Sequence, residues 1–359
     1  MELDRLSFVS HGVRLQGRRH AAGPAPAQCR RPSIERVPAA ELPVSLGDVE
    51  AAAERIAGVA VRTPLLRLPI DADVYIKPES LQHTGSFKFR GAYNALASVP
   101  RERIERGVVA DSSGNHAQGV AAAAALLGVP ATIVMPENAA PVKVERTAAW
   151  GAEIVRCGNS TDERQALAAQ ICAERGLEYV PPFDDVRIIA GQGTVGLELV
   201  HDLPSLETVV VCVGGGGLIS GVATAVKALR PGVRVVGVEP KWAADAQESL
   251  REGRIVRWRA EDVTRTVCDG VRTQALGELT FATISALVDE IVTVSDQDAL
   301  DAMRYALLEA KLVLEPTGAL TLAAILSGVV VADGPTALIA SGGNVEPSLL
   351  ASVLLSRNC

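Results

Sequence analysis

A lysine lies between two phenylalanines in the stretch HTGSFKFRGA, residues 83–92, and the question is what its amino group does. Most lysines with apolar neighbours are surface residues whose stems cover hydrophobic area. The alternative is a desolvated amine, whose pKa falls and which can form a Schiff base with an aldehyde. Lys88 alone does not decide between the two interpretations, so the other motifs of the chain must do so.

A run of four glycines, residues 214–217, follows a short apolar segment and opens a longer one. Glycines at such a place let backbone N–H groups surround an anion, and the N-terminus of the following helix adds a favourable dipole. A tight strand-to-helix turn is the alternative, but consecutive glycines in a packed unit cost conformational entropy. We therefore interpret the run as a phosphate cradle.

The spacing of these glycines decides which phosphate they could hold. GGGGLISG contains no G-x-G-x-x-G dinucleotide fingerprint, and no Lys-Ser/Thr follows as in a P-loop. Glu239 ends the next apolar run, where a ribose ligand would lie, so a nicotinamide-dependent oxidoreductase is the rival interpretation. A phosphate cradle together with a Schiff-base lysine indicates pyridoxal phosphate. Ser341, in IASGGN, is available to face the pyridine nitrogen.

The composition suits a soluble globular protein and excludes several other classes. The 359 residues are 48% hydrophobic and 21% charged, with a net charge of −7, which is enough chain for two domains or one large one. The absence of a basic stripe argues against nucleic-acid binding, and no apolar run is long enough to predict a membrane span. Scattered cysteines argue against a structural zinc site and a disulfide scaffold, and favour the cytoplasm.

The first residues of the chain differ from the rest. Residues 1–43 are rich in Arg, Pro, Gly and Ala and lack the apolar core of a signal peptide, so we predict a disordered extension or, as the alternative, an upstream start codon read as the true one. The globular part is expected to begin with a helix capped by Ser45.

Three later segments, residues 107–136, 151–180 and 208–240, share one order: an apolar run, a polar or glycine-rich loop, a helical segment and a second apolar run. Gly128 and Gly176 are expected to end two of these helices. Such alternation predicts βαβ units and a parallel sheet, whose ligands lie beyond the carboxyl ends of the strands. The lysine, the glycine run and the loops DSSGNH and IASGGN are therefore expected to converge on one cleft.

Taken together, six motifs resemble the serine racemase and threonine/serine dehydratase family. They are HTGSFKFRGA, SSGNHAQGVA, GQGTVGLELV, VGGGGLISG, EPTGAL and SGGN. The resemblance implies an α/β protein of pyridoxal-phosphate (PLP) fold type II, like the tryptophan synthase β-subunit, with two doubly wound parallel-sheet α/β domains and the cofactor in the cleft between them. It assigns residues 44–105 and 186–359 to a large domain and residues 106–185 to a small one.

The resemblance also implies the cofactor contacts. Lys88 matches the Schiff-base lysine, and Phe87 matches the phenylalanine that packs beside the ring. Asn115 matches the residue that binds the ring hydroxyl, and Ser341 matches the partner of the pyridine nitrogen. The phosphate-binding positions are Gly214, Gly215, Gly216, Gly217 and Leu218. A hydroxyl rather than a carboxylate at Ser341 leaves the ring nitrogen neutral, which favours elimination over transamination.

The substrate contacts implied by the resemblance lie in the SSGNH loop and one helix. Ser112, Asn115 and His116 would surround the substrate carboxylate, with help from Arg164. Many threonine dehydratases carry alanine at the position of Ser113, whereas serine racemases and hydroxyaspartate dehydratases carry a serine that acts as acid/base on the face opposite the lysine. We therefore predict a second acid/base at this position.

VEPKWAAD resembles the divalent-metal segment of the same family. Glu239 and Asp245 would supply carboxylates and Ala243 a backbone carbonyl, which are hard oxygen ligands suited to a structural Mg²⁺ or Ca²⁺. Phe183 and Trp150 depart from the asparagine and the tyrosine of serine racemase, and the phenylalanine is a dehydratase-like feature. Because the chain ends soon after SGGN, we expect no regulatory domain and no feedback inhibition by isoleucine.

We predict a PLP-dependent L-threonine/L-serine ammonia-lyase, which converts a small hydroxy-amino acid to a 2-oxoacid and ammonia by α,β-elimination. Serine racemase or threo-3-hydroxyaspartate dehydratase is the alternative on the same fold. An NAD-dependent oxidoreductase and a non-catalytic PLP-binding protein are more remote alternatives. A cytoplasmic homodimer is expected, without nucleic-acid or membrane partners.

Overall fold

The computed structural model describes residues 42–139 and 141–355, and the predicted extension over residues 1–43 lies almost entirely outside these residues. The described chain alternates strands and helices over most of its length. Its helices are α1 Leu46–Ile56, α2 Lys88–Ala97, α3 Arg101–Ile104, α4 Asn115–Leu127, α5 Pro141–Ala148, α6 Thr161–Arg175, α7 Val186–Asp202, α8 Gly217–Leu229, α9 Asp245–Glu252, α10 Ala260–Val263, α11 Glu278–Leu287, α12 Asp296–Leu308, α13 Pro316–Leu326 and α14 Pro347–Leu355.

The strands form two sheets. They are β1 Leu66–Arg67, β2 Val74–Pro78, β3 Val108–Asp111, β4 Ala131–Pro136, β5 Glu153–Cys157, β6 Glu178–Tyr179, β7 Thr208–Cys212, β8 Arg234–Pro240, β9 Glu290–Val294 and β10 Thr336–Ala340. The large sheet has the order β1-β2-β10-β7-β8-β9 and the small sheet the order β5-β4-β3-β6. Neighbouring strands are parallel throughout, except that β1 runs antiparallel to β2 at one edge.

Local signals in the sequence explain where these elements begin and end. Ser45 accepts a hydrogen bond from the backbone of Asp48, whose carboxylate reaches back to Ser45, so α1 starts with a capping box. Helices α4 and α6 end at Gly128 and Gly176, both in the left-handed conformation that glycine adopts without strain. These boundaries confirm the predicted ones.

Helix α2 packs with the small sheet, although its residues precede that sheet in the chain. Phe89, Ala92 and Leu96 lie in one buried core with Ile133 of β4 and Val120 of α4. The strands of the small sheet all fall within residues 106–185, as the predicted division into domains requires. Because α2 belongs to the range assigned to the large domain, that division stays a prediction.

Candidate active site

The turn that carries the lysine is held in a strained conformation beside the large sheet. Thr84 has φ of 60°, a left-handed conformation that a β-branched residue rarely adopts, and Gly85 follows with φ of 72°. The chain is then tied to the end of β10, because the Phe87 amide donates to the Ser341 carbonyl at 3.1 Å and Ser86 forms a β-bridge with Gly342. Helix α2 begins at the next residue, which is the lysine.

The Lys88 amino group lies in a setting that favours a reactive amine. Its Nζ donates to the Pro182 carbonyl at 2.6 Å and lies 5.3 Å from the centroid of the Phe87 ring. Burial lowers the pKa of Lys88 to about 8, and the nearby Cys212 opposes this only in part. The interpretation of Lys88 as an ordinary surface lysine is therefore not supported.

The glycine run presents unused backbone donors at the start of α8. Gly216 has φ of 90°, which requires glycine, and α8 begins at Gly217. Within the described residues, the amides of Gly214, Gly215, Gly216, Gly217 and Leu218 donate to no acceptor. A side chain at Gly215 would clash with the Phe183 ring, and one at Gly217 would lie in tight contact with the same residue, so the loop passes directly against it. Free amides at a helix N-terminus fit a phosphate group.

Ser341 and the glycine run share the carboxyl edge of the large sheet, because β7 and β10 are parallel neighbours. Ser341 is buried and lies beside the thiol of Cys212. Burial raises the pKa of that thiol to about 11, so it is uncharged at neutral pH. The structure thus brings the lysine, the phosphate cradle and the predicted pyridine partner to one edge, and the donors there suit PLP.

Asn115, the first residue of α4, reaches from the small sheet to residues beside the large one. Its Nδ2 donates to Glu315 Oε1 at 2.6 Å, and its Oδ1 accepts from Asn344 Nδ2 at 2.8 Å. Burial and, to a lesser degree, the charge of Asp269 raise the pKa of Glu315 to about 7. Glu315 was not among the residues predicted from the sequence.

The other side chains of the SSGNH loop hydrogen-bond to backbone groups or have no partner among the described residues. The Ser112 hydroxyl accepts a hydrogen bond from the Gly114 amide at 3.2 Å, whereas no residue that the structure describes hydrogen-bonds the Ser113 hydroxyl. His116 bonds through Nε2 to the Val180 carbonyl at 2.9 Å, so Nε2 carries the proton and the buried Nδ1 has no partner. Burial, reinforced by the charge of Lys88, lowers the pKa of His116 to about 3, which keeps the ring neutral.

Arg164 lies in the first turn of α6, at the carboxyl edge of the small sheet. Its Nε is 3.4 Å from Asp111 Oδ2, and Tyr179 donates to Asp111 Oδ1 at 2.5 Å. The terminal nitrogens of Arg164 bond to no described residue. The structure therefore pairs Arg164 with a buried acid that sequence analysis did not single out, and leaves the end of its guanidinium free.

The predicted metal residues lie together at the end of β8. The Glu239 carboxylate accepts from the amides of Ala246 and Gln247 at 3.1 and 2.7 Å. Both oxygens of Asp245 are buried without a hydrogen-bond partner. Burial raises the pKa of both carboxyl groups, and the charge of Asp245 adds to the effect on Glu239. An unpartnered buried carboxylate next to a second one fits a divalent cation, although no cluster of three or more His, Cys, Asp or Glu is found in the described part of the chain.

Two further observations bear on the predicted environment of the protein. Among the described residues, no helix is long and apolar enough to cross a bilayer. Among the described cysteines, Cys157, Cys172, Cys212 and Cys268 are free thiols.

Comparison with known proteins places this geometry in context. Residues 56–342 match the family described as pyridoxal-phosphate dependent enzyme. The chain is 44% identical to L-threo-3-hydroxyaspartate ammonia-lyase of Saccharomyces cerevisiae over 317 residues, which is 87% of this chain and 96% of the relative. It is 42% identical to L-threonine ammonia-lyase of Thermotoga maritima over 316 residues, 87% of this chain and 78% of the relative. Among solved structures, maize serine racemase superposes with a TM-score of 0.82 at 36% identity, over 86% of this chain and 96% of that one.

Proposed function

The chain belongs to the family of pyridoxal-phosphate-dependent enzymes, and from that premise we propose that it is an ammonia-lyase acting on L-threonine and L-serine. The products would be a 2-oxoacid and ammonia, formed by α,β-elimination. One observation carries the proposal: a partly buried lysine of lowered pKa, the free amides of the glycine run and a serine hydroxyl converge on one edge of the large sheet. The nicotinamide interpretation is set aside, because the family is a PLP family.

Each group at this edge would contact a different part of the cofactor. The amides of residues 214–218 would bind the phosphate, Phe87 would pack beside the ring, and Ser341 would face the pyridine nitrogen. Asn115 would donate to the ring hydroxyl through its amide nitrogen. When bound, pyridoxal phosphate supplies the electron sink that acidifies the Cα–H bond of an amino acid.

The lysine would move the protons of the reaction. With a pKa near 8, the free amino group of Lys88 is a base able to take the Cα proton of the substrate at neutral pH. The β-hydroxyl group then leaves, and the protonated Lys88 is a ready donor for it. The unsaturated amine that is released hydrolyses in water to the 2-oxoacid and ammonia.

The substrate carboxylate would be held at the SSGNH loop. The backbone at the start of α4 favours negative charge there, and the Ser112 hydroxyl adds a donor. Asn115 would line the same loop, but its two N–H groups are taken by Glu315 and by the ring oxygen of the cofactor. Neutral His116 would contribute through packing, because its only N–H is used by Val180. Arg164 offers its free terminal nitrogens to a carboxylate from the side of the small sheet.

A second candidate function, on the same fold, is the dehydration of threo-3-hydroxyaspartate or the racemisation of serine. Ser113 favours it, because its hydroxyl has no partner among the described residues and could act on the face opposite the lysine. Relatives named for hydroxyaspartate and for serine racemisation support the same alternative.

We also propose a structural Mg²⁺ or Ca²⁺ held by Glu239, Asp245 and the Ala243 carbonyl, supported by the unpartnered carboxylate of Asp245. The homodimer, the cytoplasmic location and the division into domains remain predictions.

Spectroscopy and product analysis test the main proposal. The purified protein should absorb visible light, and borohydride reduction should fix the cofactor to Lys88, as located by peptide mass spectrometry. Release of 2-oxoacid from L-threonine, L-serine and 3-hydroxyaspartate then ranks the candidate substrates. A reduced cofactor on another lysine would overturn the assignment of the site, and the absence of 2-oxoacid from all three substrates would overturn the proposed reaction.

A further inference from the structure

Glu315 is a buried acid for which the proposed chemistry has no use. It precedes α13, is 2% exposed, and bonds through Oε1 to Asn115, while no described residue donates to its Oε2. The described residues also place no ion-pair partner against it. A buried carboxylate without a counter-charge is unfavourable, so its presence beside an active-site asparagine calls for a role.

The hydrogen bonds that reach Glu315 have a fixed direction, set by groups that can only donate or only accept. Arg146 Nη1 donates to Asn344 Oδ1 at 3.2 Å, and Asn344 Nδ2 donates to the Thr84 carbonyl at 2.7 Å. A guanidinium cannot accept and a carbonyl cannot donate, so the orientation of the Asn344 amide is determined at both ends. The nitrogen of Asn344 must then donate to the oxygen of Asn115, which turns the nitrogen of Asn115 toward Glu315.

This chain of hydrogen bonds, from Arg146 through Asn344 and Asn115 to Glu315, joins the parts of the site that must be aligned. Thr84 belongs to the strained turn that carries the lysine, and Asn115 lies where the SSGNH loop enters α4. One N–H of the Asn115 amide is used by Glu315, so the same nitrogen has a second N–H available for a ligand.

We propose that Glu315 is a positioning residue whose carboxylate, as the last acceptor of this chain, holds the Asn115 amide nitrogen in place to bind the ring oxygen of the cofactor. The proposal rests on the proposed function only in that Asn115 contacts the cofactor. The test measures the binding of PLP in the absence of substrate. Its outcome therefore does not depend on which reaction the enzyme catalyses.

The ionisation of Glu315 gives the proposal a pH dependence. Asp269 raises the pKa of Glu315 and Lys143 lowers it, and these two residues form an ion pair with each other. The Cys212 thiol also lies close enough to interact with the charge of Glu315. With a pKa near 7, the carboxylate is present above neutral pH and lost below it, so its contribution to PLP binding should disappear as the pH falls from about 8 to about 6.

The experiment is a spectroscopic titration of the cofactor-free protein with PLP, for the wild type and Glu315→Gln. We expect about tenfold weaker binding by the variant at pH 8, the ratio that separates a charge-assisted hydrogen bond from a neutral one. The ratio of the two dissociation constants should approach one near pH 6. The PLP phosphate and Lys88 also titrate in this range, but both proteins share these titrations, so they cancel in the ratio. Asp269→Asn is the matched control, since it removes a nearby charge and its ion pair with Lys143 but no bond to Asn115, and should bind within about twofold of the wild type at pH 8.

Thermal melting separates positioning from plain structural support. Glu315→Gln removes an uncompensated buried charge, so the cofactor-free variant should melt at the wild-type temperature or above it. The double variant Asn115→Ala/Glu315→Gln should bind PLP no more weakly than Asn115→Ala alone. Binding by Glu315→Gln within twofold of the wild type at pH 8, or additive losses in the double variant, would overturn the proposal.

A second variant applies if Glu315→Gln melts below the wild-type temperature. The same PLP titration is then made with Asn344→Ala: weaker binding supports the chain of hydrogen bonds, and binding equal to the wild type refutes it.

Discussion

Replacing Arg90 by Met tests how the lysine turn is held, because Arg90 lies two residues after Lys88 and is fully buried. Its Nε and Nη2 bond to the two oxygens of Glu79 at 2.8 Å each, and its Nη1 bonds to Glu198 at 2.6 Å. Methionine fills much of the same space without the charge. The change therefore isolates the electrostatic part of the contact.

The expected loss follows from the burial of the partners. Glu79 is 0% exposed, and breaking a buried pair by removing one partner costs about 3–5 kcal/mol in the free energy of unfolding. Arg175→Met is a matched control, because Arg175 and its partner Glu153 are 47% and 51% exposed and pairs so open to solvent contribute little to stability. At about 2–4 °C per kcal/mol, Arg90→Met should lower the melting temperature by about 6–20 °C, well beyond the control.

The pH dependence identifies the cause. Burial alone would raise the pKa of Glu79, but Arg90, with smaller contributions from Thr63 and Lys77, lowers the pKa below its ordinary value. In the wild type the contribution of Glu79 is thus present above its unfolded pKa, and is lost only as the pH falls through the folded one. In Arg90→Met burial prevails and the pKa of Glu79 rises, so the deficit should be larger at pH 7.5 than at pH 5.

Urea unfolding followed by circular dichroism, at both pH values and without cofactor, measures these differences. Equal deficits for Arg90→Met and Arg175→Met, or a deficit of Arg90→Met that does not change with pH, would refute the electrostatic explanation.

Four other outcomes are expected. Gly215→Ala should weaken PLP binding at least tenfold in a spectroscopic titration, because the added methyl group overlaps the neighbouring aromatic ring, whereas Gly232→Ala, with open space around it, should not. In the cofactor-free protein, reductive alkylation of Lys88 should have a midpoint near pH 8, measured by peptide mass spectrometry; a midpoint near 10 contradicts the burial argument. Ser113→Ala should abolish 2-oxoacid release from D-serine but retain that from L-serine, and equal loss of both contradicts a second acid/base. Mg²⁺ or Ca²⁺ should raise the melting temperature of the EDTA-treated wild type but not of Asp245→Asn, and no response of the wild type refutes the metal site.

The fold and the centre of the site could be predicted because their signals are local. The glycine run, the lysine turn and the cap of α1 each lie within a few residues, where the backbone conformation depends on residue type. The alternation of strands and helices predicted that these motifs would converge at the carboxyl ends of the strands, and the parallel neighbours β7 and β10 bring the glycine run and Ser341 to that edge.

What sequence analysis missed depends on contacts between distant residues. Asn115 and Glu315 are 200 positions apart, so nothing near EPTGAL indicated that its acid would meet an asparagine of the other sheet. Asp111 stood in the DSSGNH loop but gave no sign of a pairing with Arg164, because that contact depends on how α6 packs beside β3. Partner identity follows from packing, which a single sequence does not display.

The place of Lys88 between the two sheets has a mechanical consequence. Its helix α2 is packed into the core of the small sheet, while the two residues before it are bonded to the end of β10. Lys88 is thereby held from both sides, by the bonds of residues 86 and 87 to the end of β10 and by the packing of α2. Its backbone has little freedom to move relative to the carboxyl edge of the large sheet, where the glycine run lies. An inserted residue in this short turn would separate the amine from one of its two anchors.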